Sequence, residues 1–343
     1  MENTCSIILA AGEGKRMKSN KPKVLSEVLF KPMLGWIIDS LNELGINDTC
    51  VITGFKSEMV ENYLKSLNTD FETILQKERK GTAHAVMQAG EFLNNRKGRS
   101  VLILGGDSPF IDSETIKNAY ELHIANGNSA TIISSVIDNS FGYGRIVRDS
   151  NEGNVQEIVE EKDANGNIKK IKEVNSGAYW FRIDELLKVL YNISNDTAQA
   201  EYYLTDAIRL LINNGLKVGA YQAKSQDVVL GANDCVQLQN LNNIARKKII
   251  EKVISEGVNI PIADGIIIGK DVKIGKGTKL LPGTIIHGDT EIGEDCIIGP
   301  NSQIYSCNIE NKAVINSSYC EGVTIKSSQK VGPFEIRNLY NWS

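Results

Sequence analysis

The chain has 343 residues, enough for one large domain or for a large domain with a smaller companion. Its 41% hydrophobic content is that of an ordinary globular chain, and a net charge of −4 excludes a broad attraction to nucleic acid or anionic membrane. Six scattered cysteines without a Cys-x-x-Cys pair, and only three histidines, argue against a structural zinc site and a disulfide framework, and suit a reducing compartment such as the cytoplasm.

The first part of the chain alternates two kinds of segment. Short apolar runs at 6–10, 50–53, 73–75 and 101–104 predict buried strands, and amphipathic stretches at 34–44, 57–67, 82–93 and 113–126 predict helices between them. The run at 7–11 is too short to span a membrane and lacks the basic start and cleavage site of a signal peptide. Further strands are expected at 130–136, 145–148, 155–159 and 178–181, and helices at 183–190 and 204–213. This alternation implies a mostly parallel sheet covered by helices, whose ligands bind at the carboxyl ends of the strands. Apolar spacing over 233–256 predicts one more helix, ended by Gly257 and Pro261.

Beyond that helix the texture changes. Ile268, Ile274, Leu280, Ile286, Ile292, Ile298 and Ile304 each stand six residues apart, with a second track at Val272, Thr278, Thr284, Thr290, Cys296 and Ser302. A period of six belongs to a parallel β-helix, where each face of a coil points one aliphatic into the stack. The period slips by one at Ile309, resumes at Ile315, and continues more loosely to Ile325 and Val331. With three faces per coil this gives about four coils. The expected organisation is therefore an α/β domain over 1–232, a connecting helix and hinge over 233–260, and a short β-helix over 261–343.

The chemistry concentrates in the first domain. Leu9-Ala10-Ala11-Gly12-Glu13-Gly14-Lys15-Arg16-Met17 follows a predicted strand and is followed by Lys21-Pro22-Lys23. Glycines there let backbone N–H groups approach a phosphate, and Arg16 and Lys23 offer charge to its oxygens. A tight turn with solvated basic residues reads the same pattern equally well. Asp107 ends an apolar strand in Gly105-Gly106-Asp107, where a carboxylate suits either Mg²⁺ or an Asx turn. On the residues alone, Asn233 reads as a helix N-cap and Gln76 as a surface glutamine.

These motifs together resemble the sugar-1-phosphate nucleotidyltransferases. Leu-x-x-Gly-x-Gly-x-Arg-Met with Pro22-Lys23 is similar to the family's signature loop. Gln76 with Gly81-Thr82-Ala83-His84-Ala85, the Gly106-Asp107 turn, Gly142-Tyr143-Gly144-Arg145, Glu160, Asn175 with Gly177, and Glu201-Tyr202-Tyr203-Leu204-Thr205-Asp206 follow in the family's order. The resemblance is nearest to the bacterial bifunctional family that carries N-acetylglucosamine-1-phosphate uridylyltransferase and glucosamine-1-phosphate acetyltransferase domains. It covers residues 1 to about 337 and implies a Rossmann-like nucleotidyltransferase domain followed by a left-handed β-helix of hexapeptide repeats.

The resemblance implies the following roles. Leu9, Ala10, Ala11, Gly12, Gln76, Gly81, Thr82 and Gly106 would bind the nucleotide. Gly144, Glu160 and Asn175 would bind the sugar. Asp107 and Asn233 would hold Mg²⁺, and Arg16, Lys23 and Asp107 would be catalytic. The implied substrates are UTP and N-acetylglucosamine-1-phosphate, with a homotrimer built through the β-helix and with no nucleic acid or membrane insertion. The chain departs from the family at Gly105, where tyrosine is usual, at Lys15, where threonine is common, and at Asp234, where asparagine is common. Its short β-helix, with His287 as the repeat's only histidine, leads to the expectation that acetyltransferase activity is absent. His84 reads as structural, and Leu339, Tyr340 and Trp342 as a cover for the last coil or a surface that packs on a neighbour. Competing readings are another sugar or nucleotide, a non-catalytic sugar-nucleotide-binding protein, and an acyltransferase working from the β-helix alone.

Overall fold

A computed structural model describes residues 1–67, 69–149, 153–194 and 201–338. The expected cover formed by Leu339, Tyr340 and Trp342 lies outside the described residues. The chain divides into two compact units, one of Met1–Ser26 with Pro32–Gln237, the other of Glu27–Lys31 with the chain from Leu238 onward. The division falls after Gln237 rather than at 232, and residues 27–31 leave the first unit, which no feature of the sequence announces.

In chain order the elements are β1 (Thr4–Ala10), β2 (Glu27–Val28), β3 (Lys31–Pro32), α1 (Met33–Glu43), β4 (Thr49–Thr53), α2 (Ser57–Lys65), β5 (Glu72–Leu75), α3 (Thr82–Gln88), α4 (Gly90–Asn94), β6 (Ser100–Gly105), α5 (Ser113–Ala125), β7 (Ala130–Val136), β8 (Arg145–Arg148), β9 (Val155–Val159), β10 (Glu173–Arg182), α6 (Ile183–Leu190), α7 (Leu204–Asn213), β11 (Val218–Gln222) and α8 (Cys235–Ser255). The main sheet runs β11-β7-β10-β6-β1-β4-β5, with β8 and β9 as a hairpin beside β10. β1 pairs in parallel with β4 and β6, while β10 runs antiparallel to β6 and β7.

Alternation along β1 explains why this strand sits at the centre. Cys5 and Ile7 enter one buried layer, Ile8 and Ala10 the other, so both faces are covered. The expected helix over 82–93 is two helices, because the chain leaves helical geometry at Ala89. Gly90 packs so closely that a Cβ there would strike the Tyr191 hydroxyl. In β10 the register shifts between Asn175 and Tyr179, a bulge that takes Ser176 and Gly177 out of the ladder. Among the described residues no helix is long and apolar enough to cross a membrane.

In the second unit α8 ends where Gly257 adopts φ +98° and Val258 N–H reaches back to the Val253 carbonyl. Short strands then stack in parallel on three faces. Ile268, Ile286, Ile304 and Cys320 are register partners on the first face, Ile274, Ile292, Ile309 and Ile325 on the second, Leu280, Ile298, Ile315 and Val331 on the third. The period-six track therefore is the core of a parallel β-helix. Cys320, which the six-residue count passes over, fills an aliphatic position of the first face and is fully buried.

The second track serves the backbone at the corners. Thr278 Oγ1 donates to the Gly293 carbonyl at 2.7 Å and accepts from Cys296 N–H at 3.0 Å, both one coil away. Thr290 Oγ1 donates to the His287 carbonyl at 2.6 Å and accepts from Cys307 N–H at 3.3 Å. Fully buried hydroxyls here satisfy amide groups that the coil's turns leave without a ladder partner. Thr278→Val keeps the shape and strands both groups, which costs about 1–3 kcal/mol. A lowered urea midpoint in circular dichroism is the expected result; an unchanged midpoint would show that water replaces the hydroxyl.

Candidate active site

Three loops at the carboxyl ends of β1, β6 and the segment before α8 meet in the first unit. After β1, Gly14 takes φ +66° and opens a short 3-10 turn at Lys15–Met17. A Cβ on Gly14 would lie 2.7 Å from that of Lys23, so the glycine lets Lys23 pass behind the loop. Pro22 precedes a second 3-10 turn, Lys23–Leu25, which places Lys23 with its side chain only 12% exposed.

The Lys23 ammonium forms an ion pair with Asp107 Oδ2 and donates to Asn233 Oδ1 at 2.7 Å. Two residues far apart in sequence thus converge two oxygens on one cation. Gly231 makes the approach possible, since a Cβ there would stand 2.9 Å from the Asp107 carbonyl. The N-cap reading of Asn233 is overturned. Asp234 Oδ1 accepts from Gln237 N–H at 2.8 Å and Gln237 returns a bond to Asn233 N–H at 2.7 Å, so Asp234 caps α8 and the Asn233 side chain turns to Lys23.

A cleft of ≈ 580 Å³ opens beside this cluster. Of the sequence-predicted residues, Leu9, Ala11, Gly12, Arg16, Lys23, Gln76, Gly81, Thr82, Asp107 and Asn233 line it. Ala10 and Gly106 do not. Ala10 is fully buried because strand alternation turns it into the layer opposite Leu9. Gly106 carries packing: its N–H extends β6 onto the Leu9 carbonyl at 2.9 Å, and a Cβ would press on Val24 at 3.0 Å. Gly105, noted in the sequence only as a departure from the family, lines the cleft, as do Ser108, Arg79 and Ser176, which the sequence reading did not single out.

The segment that would read a base is held rigidly. Gln76 N–H binds the Thr53 carbonyl at 2.8 Å as β5 ends, and its buried side chain donates from Nε2 to the Gly81 carbonyl at 3.2 Å. Gly81 takes φ +103° and lies so close to the Tyr202 backbone that any side chain would strike its carbonyl. Tyr202 N–H binds the Lys80 carbonyl at 2.8 Å, Ala83 N–H binds the Tyr202 carbonyl at 2.9 Å, and Leu204 N–H binds Thr82 Oγ1 at 3.0 Å.

The predicted sugar residues form a neighbouring cluster rather than the cleft wall. Asn175 N–H binds the Gly144 carbonyl at 2.9 Å, and Gly144 packs against the Glu160 carboxylate. Asn175 Nδ2 donates to Tyr179 Oη at 2.6 Å, while Oδ1 accepts from Gly177 N–H at 3.0 Å. The cluster reaches the cleft through Ser176 and Gly177 of the β10 bulge. Burial raises the Glu160 carboxyl above the usual carboxylate range, with Thr205 and Lys162 acting in the opposite direction. Glu160 is half-buried, which removes the reading of 157–162 as a wholly solvated strand edge.

Among the described residues no three His, Cys, Asp or Glu side chains gather as a metal cage. Asp107 and Asn233 nevertheless suit Mg²⁺, which takes hard oxygens and completes its octahedron with water and substrate phosphates. Their common grip on an ammonium is the observation that supports the fit.

Residues 5–248 match the nucleotidyl transferase family, and residues 271–306 match the bacterial transferase hexapeptide family, described as six repeats. A bifunctional protein GlmU of Caldanaerobacter subterraneus subsp. tengcongensis is 46% identical over 334 residues, covering 97% of this chain and 72% of the relative. A bifunctional protein GlmU of Acetivibrio thermocellus is 43% identical, with 97% and 71% covered. A solved Bacillus anthracis chain, named as a glucose-1-phosphate thymidylyltransferase in complex with a sucrose, superposes with a TM-score of 0.60 at 22% identity, over 71% of this chain and 95% of that one, a likeness of fold. With a nucleotidyltransferase fold, a cleft assembled from the signature loops and relatives of this extent, the chain belongs to the GlmU family of nucleotidyltransferases.

Proposed function

We propose that this nucleotidyltransferase joins UTP to N-acetylglucosamine-1-phosphate, giving UDP-N-acetylglucosamine and pyrophosphate. The observation that supports it is the Lys23 ammonium, held by Asp107 and Asn233 on the wall of a cleft that also contains Gln76 and the Gly12–Gly14 loop.

The sugar phosphate brings an oxygen that is already anionic, so no general base is required. That oxygen bonds to the α-phosphorus while the bond to the bridging oxygen of pyrophosphate breaks, its electron pair leaving on pyrophosphate. The protein's work is to position the reactants and offset their charge. Lys23 turns from Asp107 and Asn233 to the phosphates, and Arg16, exposed at the cleft, offers its fork of donors to the leaving group. Asp107 and Asn233 would hold Mg²⁺, which would neutralise charge on the phosphate oxygens. Gln76, Gly81 and Thr82 read the base, and Gly144, Glu160 and Asn175 hold the sugar. The retained basic and acidic side chains of the cleft favour catalysis over mere binding of a sugar nucleotide.

For the solenoid we propose a homotrimer and no acetyl transfer by the coils described. Ile262 and Ile336 are 56% and 70% exposed on this unit, apolar area that self-association would cover. His287, its only histidine, is engaged in stacking, 4.1 Å from the Phe30 ring and 4.7 Å from that of Tyr305. The unpaired, mostly buried cysteines suit a cytoplasmic location.

Pyrophosphate release is expected with Mg²⁺, UTP and N-acetylglucosamine-1-phosphate, and Asp107→Asn should lower kcat by at least about a hundredfold. Release only with another sugar or nucleotide would change the substrates, and none with any pair would favour a binding protein. Wells holding acetyl-coenzyme A and glucosamine-1-phosphate should stay silent; transfer there would refute the second proposal. Because Lys23 occupies the oxygens that would take a cation, Lys23→Met should bind Mn²⁺ more tightly than wild type without nucleotide, read by paramagnetic resonance. Equal affinities would show that the lysine does not compete. Light scattering should give three times 37.7 kDa, and a monomer at working concentration excludes the trimer.

A further inference from the structure

The amide of Gln76 has a fixed direction. The Gly81 carbonyl can only accept, so the group facing it at 3.2 Å is the NH₂ of Gln76 and not its oxygen. The same Nε2 stands 2.9 Å from His84 Nδ1. With one amide hydrogen on Gly81, the other points to His84. The ring has an NH₂ group beside each nitrogen, and a neutral imidazole accepts at only one; the 2.9 Å contact to Gln76 makes Nδ1 that acceptor. The imidazole proton then lies on Nε2, and the 3.3 Å contact there to Gln88 Nε2, itself a donor to the His84 carbonyl at 3.2 Å, is left unbonded. His84 rides on α3, whose first turn is stapled to Tyr202, so the ring is presented from a firm base. With both hydrogens engaged, the atom that Gln76 has left for a ligand in the cleft is Oε1, an acceptor.

We infer that His84 is a positioning residue that locks Gln76 as an acceptor and thereby selects bases presenting a ring N–H. This rests on the proposed reading that Gln76 meets the nucleobase. Uracil offers N3–H to Oε1. Cytosine offers a lone pair at N3, and two acceptors facing each other repel in a site where neither finds water. Without the acceptor at His84 the amide is held by Gly81 alone, and it rocks away or leaves a hydrogen unpaired.

The test compares kcat/KM for UTP and CTP in wild type, His84→Asn, His84→Gln and His84→Phe. Asparagine places Oδ1 where Nδ1 stands, two bonds from Cβ, whereas glutamine places its oxygen one bond further and phenylalanine keeps only the ring. The wild type and His84→Asn should share one UTP preference. His84→Gln and His84→Phe should lose at least about tenfold of it, carried by KM for UTP rather than kcat. A purely structural role would lower both nucleotides together and leave the ratio unchanged, which would overturn the inference. Loss of the preference in His84→Asn as well would assign the effect to packing and overturn it too. Should His84→Phe fail to fold, the asparagine and glutamine pair decides alone. A wild type with no preference for UTP overturns the base reading and this inference with it; a wild-type preference untouched in the variants overturns only the role of His84.

Discussion

One ammonium group organises the catalytic end of this domain. Lys23 lies between a carboxylate from the turn after β6 and an amide from the segment before α8, and both partners are needed to hold a cation in a site of low exposure. Each loop around it is shaped to allow that meeting. Gly14 yields room for the lysine stem, and Gly231 lets its segment reach the Asp107 backbone. Asp234 takes over the helix cap so that Asn233 is released. Removing any of these leaves a charge whose compensation has to be found elsewhere. In the proposed mechanism the same arrangement readies the site for chemistry between anions, because the cation is present before the phosphates arrive and has only to change partners.

The second unit obeys a different constraint. A coil of about eighteen residues can bury little on its own, so each face contributes one side chain to a column shared with its neighbours. Corners are the weak points, since the backbone turns away from its ladder there. Thr278 answers this with a hydroxyl that both donates and accepts across coils, and Thr290 with one that accepts from the next coil while donating to the His287 carbonyl of its own. The aliphatic columns drive the stacking, and the hydroxyls determine that the coils meet in register.

Much of this was legible in the sequence because the signals were periodic or densely conjoined. The six-residue track announced the solenoid core from Ile268 to Ile304, since no other architecture requires that spacing. The order of the cleft motifs announced which loops would converge. What was not legible depended on geometry that spacing does not encode. Whether Asn233 or Asp234 caps α8 turns on which side chain meets Gln237, and both are good caps. Ala10 and Gly106 belong to the right loops but face packing layers. Residues 27–31 join the second unit without any marker in composition, and β11 is a short strand with glycine in it that gave no period. Cys320 escaped notice because the coil shortens there and a thiol takes an aliphatic's place.

The staple between residues 80–83 and 202–204 has an implication for how this site changes over time. Three of its four bonds and contacts are backbone to backbone, so side-chain substitution cannot loosen it gradually. The strand of chain that carries Tyr203 and Thr205 past the sugar cluster is the same one that pins Gly81 beside Gln76. On the proposed assignment of these residues, substitutions that refit the pocket for a different sugar shift the loop that carries Gln76 and Gly81 with them, and their effects on the two substrates do not add. Under that assignment, acceptance of a new sugar and retention of the old nucleotide are coupled traits, and a lineage altering one has to repair the other.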